Sequence, residues 1–137
     1  MKPAPGFVRE RLEQAYASRN PAMLSRALVL ALAAPDRSFT PLLCDIALEE
    51  QWLQGCQEMA LEVLIDLADP ASFDPLLSLC TRPALKLGDG NDWRKAVFAI
   101  TVLPVERSKI EQALRTIAGC GNDLAEEAAH LLKFLKR

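Results

Sequence analysis

One histidine and four cysteines are the chain's whole stock of imidazole and thiol groups, and their spacing bounds the chemistry available to it. Cys44, Cys56, Cys80 and Cys120 form no C-x-x-C pair, and three of them sit among apolar residues in helix-like stretches. They read as buried reduced thiols, because zinc needs closely spaced Cys or His partners and His130 stands alone. His130 lies in "AEEAAHLLKFLKR" with Ala and Leu around it, the setting of an ordinary helix histidine. "LGDGNDW" (87–93) holds part of a calcium-loop pattern. It lacks the acid at the fifth ligand position, the following Gly and the closing Glu, so it reads as a turn leading into a helix. Two glycines around Asp89 are too few for a phosphate loop. These residues point to no catalytic group, no metal site and no cofactor.

Acidic side chains give the stronger signal. Between Arg37 and Arg82 the chain places Asp45, Glu49, Glu50, Glu58, Glu62, Asp66, Asp69 and Asp74, and no Lys or Arg. The flanks reverse this: residues 1–37 hold six bases against three acids, and residues 82–137 hold ten against seven. A formal net charge of −2 therefore hides a basic–acidic–basic order along the chain. Glu58, Glu62 and Asp66 follow at i, i+4 and i+8, one line down a helix whose opposite face carries Leu61, Leu64, Ile65 and Ala68. Asp45 and Glu49 are likewise four apart. Like charges at this spacing cost a helix roughly 0.2–0.5 kcal/mol per pair. Reversing the Glu58, Glu62 and Asp66 charges is therefore expected to leave the fold intact. Salt bridges to Arg26, Arg94 or Lys95 are the plainer account of the same acids. An acidic middle and a net negative chain argue against nucleic acid as a direct ligand.

The elements that must position these residues are helices. Leu and Ala dominate the apolar half of the composition and aromatics make up 6%. Asn20-Pro21, Thr40-Pro41 and Asp74-Pro75 each pair a capping residue with Pro at the first helical position. Ser108-x-x-Glu111 reads as a capping box, and Asn122 or Asp123 can cap the last helix. Pro35, Pro70, Pro83, Pro104 and the turn Gly119-Cys120-Gly121 mark helix ends. The pattern predicts eight helices, at 7–18, 21–33, 41–53, 56–68, 75–81, 92–103, 107–118 and 123–136, within one domain over 1–137. First helices of successive pairs recur every 32 to 34 residues, the mark of stacked helical hairpins. The expected fold is all-α, an α-solenoid of about four antiparallel helical hairpins. The longest apolar run, Ala27 to Ala34, is far short of the roughly 20 residues a membrane span needs. The first residues carry no apolar signal region, so the expected location is the cytoplasm, away from membranes.

"TPLLCDIALEEQWLQGCQEMALEVLIDLAD" (40–69) and "FDPLLSLC" with "DWRKAVFAITVL" (73–80, 92–103) share Pro-Leu-Leu in the first helix and Ala-x-x-x-Leu or Ala-x-x-x-Ile spacing in the second. This resembles the HEAT repeat family, and Trp93-Arg94-Lys95-Ala96 fits its second-helix pattern, whereas Gln57-Glu58 departs from it. The resemblance implies a right-handed solenoid whose second helices line a concave face. Some HEAT-like enzymes bind iron through His-Glu dyads, and none occurs here. On that basis Asp45, Glu49, Glu50, Trp52, Glu58, Glu62, Asp66 and Trp93 are the candidate partner-binding residues, acids for charge and two tryptophans as anchors. The expected function is non-catalytic binding of a protein with a basic surface. Its sharpest form is an immunity-type inhibitor of a cationic toxin such as a nuclease. The alternative is a scaffold, adaptor or secretion chaperone that holds a peptide or helix in an apolar groove. Oligomeric state stays open.

Overall fold

The computed structural model describes residues 3–49, 55–83, 85 and 92–135. Within them lie eight α-helices and no strand. They are α1 (Pro5–Ser18), α2 (Pro21–Ala33), α3 (Thr40–Ala47), α4 (Cys56–Leu67), α5 (Phe73–Cys80), α6 (Arg94–Thr101), α7 (Arg107–Ala118) and α8 (Ala125–Leu135). No helix among the described residues is long and apolar enough to cross a membrane. The tail expected for the third helix (50–53), the calcium-like turn (87–91), Glu50 and Trp52 lie outside the described residues.

Some helix starts follow the local code and others do not. The Asn20 side chain accepts from the amides of Ala22 (3.0 Å) and Met23 (3.3 Å), with Pro21 opening α2. Thr40 was expected to cap α3, yet it is the first residue of that helix. A short 3-10 turn, Arg37–Phe39, precedes it, and Asp36 caps that turn through the Ser38 amide at 3.0 Å. A second 3-10 turn, Pro70–Ser72, is capped by Asp69 through the Ala71 amide at 3.0 Å. Helix α5 consequently starts at Phe73 rather than at the expected Asp74-Pro75 boundary. The Ser108–Glu111 capping box does not form. Ser108 lies inside α7, and Glu111 faces Arg107 and Arg115 one turn to either side. Asn122 does serve the last helix, accepting from the Leu124 amide at 2.9 Å. The preceding Gly121 holds φ 81°, a left-handed conformation that costs glycine little.

Helices adjacent in sequence pack as pairs: α1 on α2, α3 on α4, α5 on α6, and α7 on α8. The pairs meet in a regular way. Odd-numbered helices touch the next odd-numbered helix, and α2, α4, α6 and α8 do the same among themselves. One buried apolar cluster runs through all four pairs, from Val8 and Leu12 through Phe39, Leu64 and Ile100 to Ala128. Cys44, Cys56 and Cys80 are buried free thiols, and Cys120 is half-buried. Burial pushes the Cys44 thiol up to about 11 and the Cys80 thiol up to about 12, so both stay protonated and unreactive at neutral pH.

Several of the hydrogen bonds between pairs span 33 or 34 residues. Tyr16 donates to Glu49 (2.7 Å), 33 residues on, and Ser25 to the Met59 sulfur (3.5 Å), 34 residues on. Arg82 donates to the Leu48 carbonyl and the Asp92 amide to Glu58, each across 34 residues. Arg82 thereby bonds a carbonyl at the C-terminal end of α3, where helix carbonyls lack intrahelical donors. The hydroxyl of Thr40, 2% exposed, donates to Asp69 at 2.8 Å. The Ala71 amide, then the Thr40 hydroxyl, hold the Asp69 carboxyl below the usual carboxylate range.

Candidate functional site

A shallow cleft of about 570 Å³ opens along the even-numbered helices. Its floor carries Leu32 from α2, Ile65 from α4 and Phe98 from α6, and the rim carries Glu62, Asp66, Asp92, Arg94, Lys95 and Glu127. Leu32, Ile65 and Phe98 occupy positions separated by 33 residues, the same separation that joins Glu62 to Lys95. Positions 33 residues apart on α2, α4 and α6 therefore supply the apolar lining. Phe98 is 49% exposed, too much for a ring that belongs to the core of its own helix, whose buried stripe is Ala96, Val97, Ala99 and Ile100. A second hollow of about 430 Å³ adjoins the cleft, sharing Arg94 and Glu127 and adding Asp123, Glu126, His130 and Lys133.

Charge on the rim is partly spent within the molecule. The Lys95 ammonium reaches from α6 to both Glu58 (3.1 Å) and Glu62 on α4. Its hydrogen bond to Glu62, then that to Glu58, raises its pKa above the ordinary lysine value. One cation thus separates two like charges four residues apart and offsets the helix repulsion expected from them. Arg94 turns instead to Asp92, with Nε 2.9 Å from the carboxylate. That hydrogen bond leads in holding the Asp92 carboxyl low, and it raises the Arg94 guanidinium in turn. Asp66 is exposed and makes no ion pair or hydrogen bond among the described residues.

The described candidate residues, Asp45, Glu49, Glu58, Glu62, Asp66 and Trp93, fall in different parts of the structure. Glu62 and Asp66 line the cleft, and Glu58 sits behind Lys95. Asp45 and Glu49 belong to the other layer, at the α1–α3 seam. There the Tyr16 hydroxyl lies 3.4 Å from the Asp45 carbonyl, and both Tyr16 and Arg19 bond the Glu49 carboxylate. Burial, then the bond to Glu49, raises the Tyr16 phenol. Trp93 is 4% exposed and packs in the core, so its indole faces away from any docking surface. Sequence reasoning gave Leu32, Ile65 and Phe98 no part in a site, setting Ile65 on the face opposite Glu62 and Asp66 whereas it lines the cleft beside them, and it passed over Glu127 as well. Their 33-residue register was the signal that could have found the first three.

Among the described residues no thiol or hydroxyl lines the cleft, and no group of three His, Cys, Asp or Glu side chains could hold a metal ion. His130 is exposed and meets the Phe134 ring edge-on, with centroids 5.1 Å apart. Comparison with protein-family models, with curated proteins and with solved structures finds no match.

Proposed function

We propose that this chain is a non-catalytic protein-binding module, a short HEAT-like α-solenoid whose even-numbered helices take up a basic segment of another protein. The observation that carries the reading is the cleft itself. An apolar floor of Leu32, Ile65 and Phe98 is bordered by four carboxylates and two cations, and Lys95 is already engaged with Glu58 and Glu62. The excess is acidic: Asp66 makes no ion pair or hydrogen bond among the described residues, and Glu127 meets Arg94 through charge alone, without an ion pair. A partner with Lys or Arg flanking an apolar anchor complements this arrangement, because charge steers the encounter and the anchor sets its lifetime. The pairing of helices and the hydrogen bonds spaced 33 to 34 residues apart support the solenoid reading. The specific form of the proposal is an immunity-type inhibitor that offers acids where a cationic toxin, such as a nuclease, receives phosphate.

The half-exposed Phe98 favours a second reading, an adaptor or secretion chaperone gripping an apolar helix, with the acids incidental. A pull-down of the tagged full chain across a salt gradient separates the two. The basic-partner reading expects one basic protein released between about 0.1 and 0.5 M salt, where exposed charges are screened. It also expects that protein to be lost with Asp66→Lys/Glu127→Lys. A partner held at high salt and lost instead with Phe98→Ser would overturn it in favour of the adaptor.

A further inference from the structure

Away from the cleft, the outer side of the α1–α2 hairpin carries a separate hollow of about 480 Å³. Phe7, Arg11 and Gln14 of α1 form one wall, and Met23, Arg26 and Leu30 of α2 form the other. Among the described residues none beyond α2 lines it. The first set follows at i, i+4 and i+7 and the second at i, i+3 and i+7, so each is a single stripe along its helix. Two neighbouring helices with open stripes make a seam that accepts a third helix. The apolar part of the seam is uncovered, with Phe7 47% and Met23 42% exposed.

Charge says what covers it. The Arg11 guanidinium stacks over the Phe7 ring at 5.1 Å, and neither Arg11 nor Arg26 makes an ion pair among the described residues. Glu13 faces Arg9 instead (3.9 Å). Glu10 lines an adjoining hollow with Phe7, Arg11 and Gln14. A second copy docked symmetrically on this seam would set the arginines of both copies against each other, and like charges across an interface disfavour docking. We propose that the α1–α2 seam binds an acidic amphipathic helix of a partner protein, with apolar side chains over Phe7 and Met23 and carboxylates meeting Arg11 and Arg26. This site is independent of the cleft and of opposite sign.

The test uses the full chain and two labelled synthetic helices, one with Leu on one face and Glu flanking it, the other with Lys in place of Glu. Fluorescence anisotropy should show saturable binding of the acidic helix. Arg11→Glu/Arg26→Glu should weaken it by about tenfold or more and transfer preference to the Lys helix at this site. Phe7→Ser should weaken it too, with an unchanged circular dichroism melt. Asp66→Lys, which alters the cleft, should leave acidic-helix binding unchanged while weakening the Lys helix on the parent chain. Absence of acidic-helix binding, or binding indifferent to the Arg11 and Arg26 reversals, overturns the proposal. So does concentration-dependent self-association in sedimentation that Phe7→Ser abolishes, since the occupant would then be a second copy.

Discussion

The α4–α6 seam and the outer edge of α1–α2 handle charge in opposite ways. In the seam, Lys95 lies between Glu58 and Glu62, and the Asp92 amide adds a further donor to Glu58. At the edge, Arg11 and Arg26 stand beside exposed Phe7 and Met23 with no carboxylate paired to them among the described residues. Both surfaces mix apolar and charged groups, so composition alone does not tell them apart. What differs is whether the neighbouring hairpin supplies the counterion. Charges answered from a neighbouring helix pair hold the pairs together, and unanswered charges beside exposed apolar groups are the ones on which the proposed docking rests.

The largest effect is expected where a seam depends on one buried polar side chain. Asn122, 9% exposed, donates to the carbonyls of Cys80 (2.8 Å) and Arg82 (2.9 Å) and accepts from the Leu124 amide. It ties the end of α5 to the start of α8. Asn122→Ala leaves these buried groups unpaired and should lower stability by about 2–3 kcal/mol in urea melts. Binding of both synthetic helices should survive at temperatures where the variant stays folded. A loss below about 0.5 kcal/mol would mean that water replaces the amide and that the seam is less closed than its burial implies.

The acidic line on α4 gives the next test, and here the Lys95 bridges lead to a different expectation from the one the sequence suggests. Reversing Glu58, Glu62 and Asp66 together was expected to leave the fold intact by removing repulsion. With Lys95 between the first two, the reversal gathers three cations in place of a bridged trio. Glu58→Lys/Glu62→Lys should therefore cost about 1–2 kcal/mol, whereas exposed Asp66→Lys should fall within about 0.5 kcal/mol of the parent. Equal melting temperatures for the two variants would show that Lys95 contributes nothing to the seam.

What the sequence revealed follows from the range over which each interaction acts. Helix positions were legible because Pro21, Asn20 and the prolines after helices act on their nearest neighbours. Asp36 and Asp69 escaped notice as caps because they open 3-10 turns rather than the helices themselves. Thr40 looked like a cap until its hydroxyl met Asp69, 29 residues away, a partner that no local rule supplies. Glu111 left its capping role because Arg107 and Arg115 flank it four residues to each side. The acidic block was plain, but its division was not. Glu49, Glu58 and Glu62 are answered from other hairpins, and Asp66 is not, which depends on side chains about 33 residues distant. Trp93 was offered as an anchor on its residue type, and its place at the start of α6 turns it inward.

Lys95 itself provides the smallest and most specific effect. Its bonds to Glu62 and Glu58 raise its pKa in the folded state above the ordinary lysine value. A raised pKa means that the ammonium's contribution is fully present below the unfolded value of about 10.4 and is lost as pH rises through the folded one. Lys95→Met should therefore reduce stability by about 0.5–1 kcal/mol at pH 7 to 9, in line with a partly exposed ion pair. The gap between variant and parent should then close above about pH 10.5 in the same melts. The substitution also releases Glu62 to the cleft, and the Lys helix should bind the variant more tightly than the parent while the acidic helix does not change. Tighter binding with a lower melting temperature would mark Lys95 as a seam cation that competes with a basic partner for the same carboxylate. Unchanged affinity would confine Glu62 to the seam and leave Asp66 and Glu127 as the acids to which the proposed basic partner would bind.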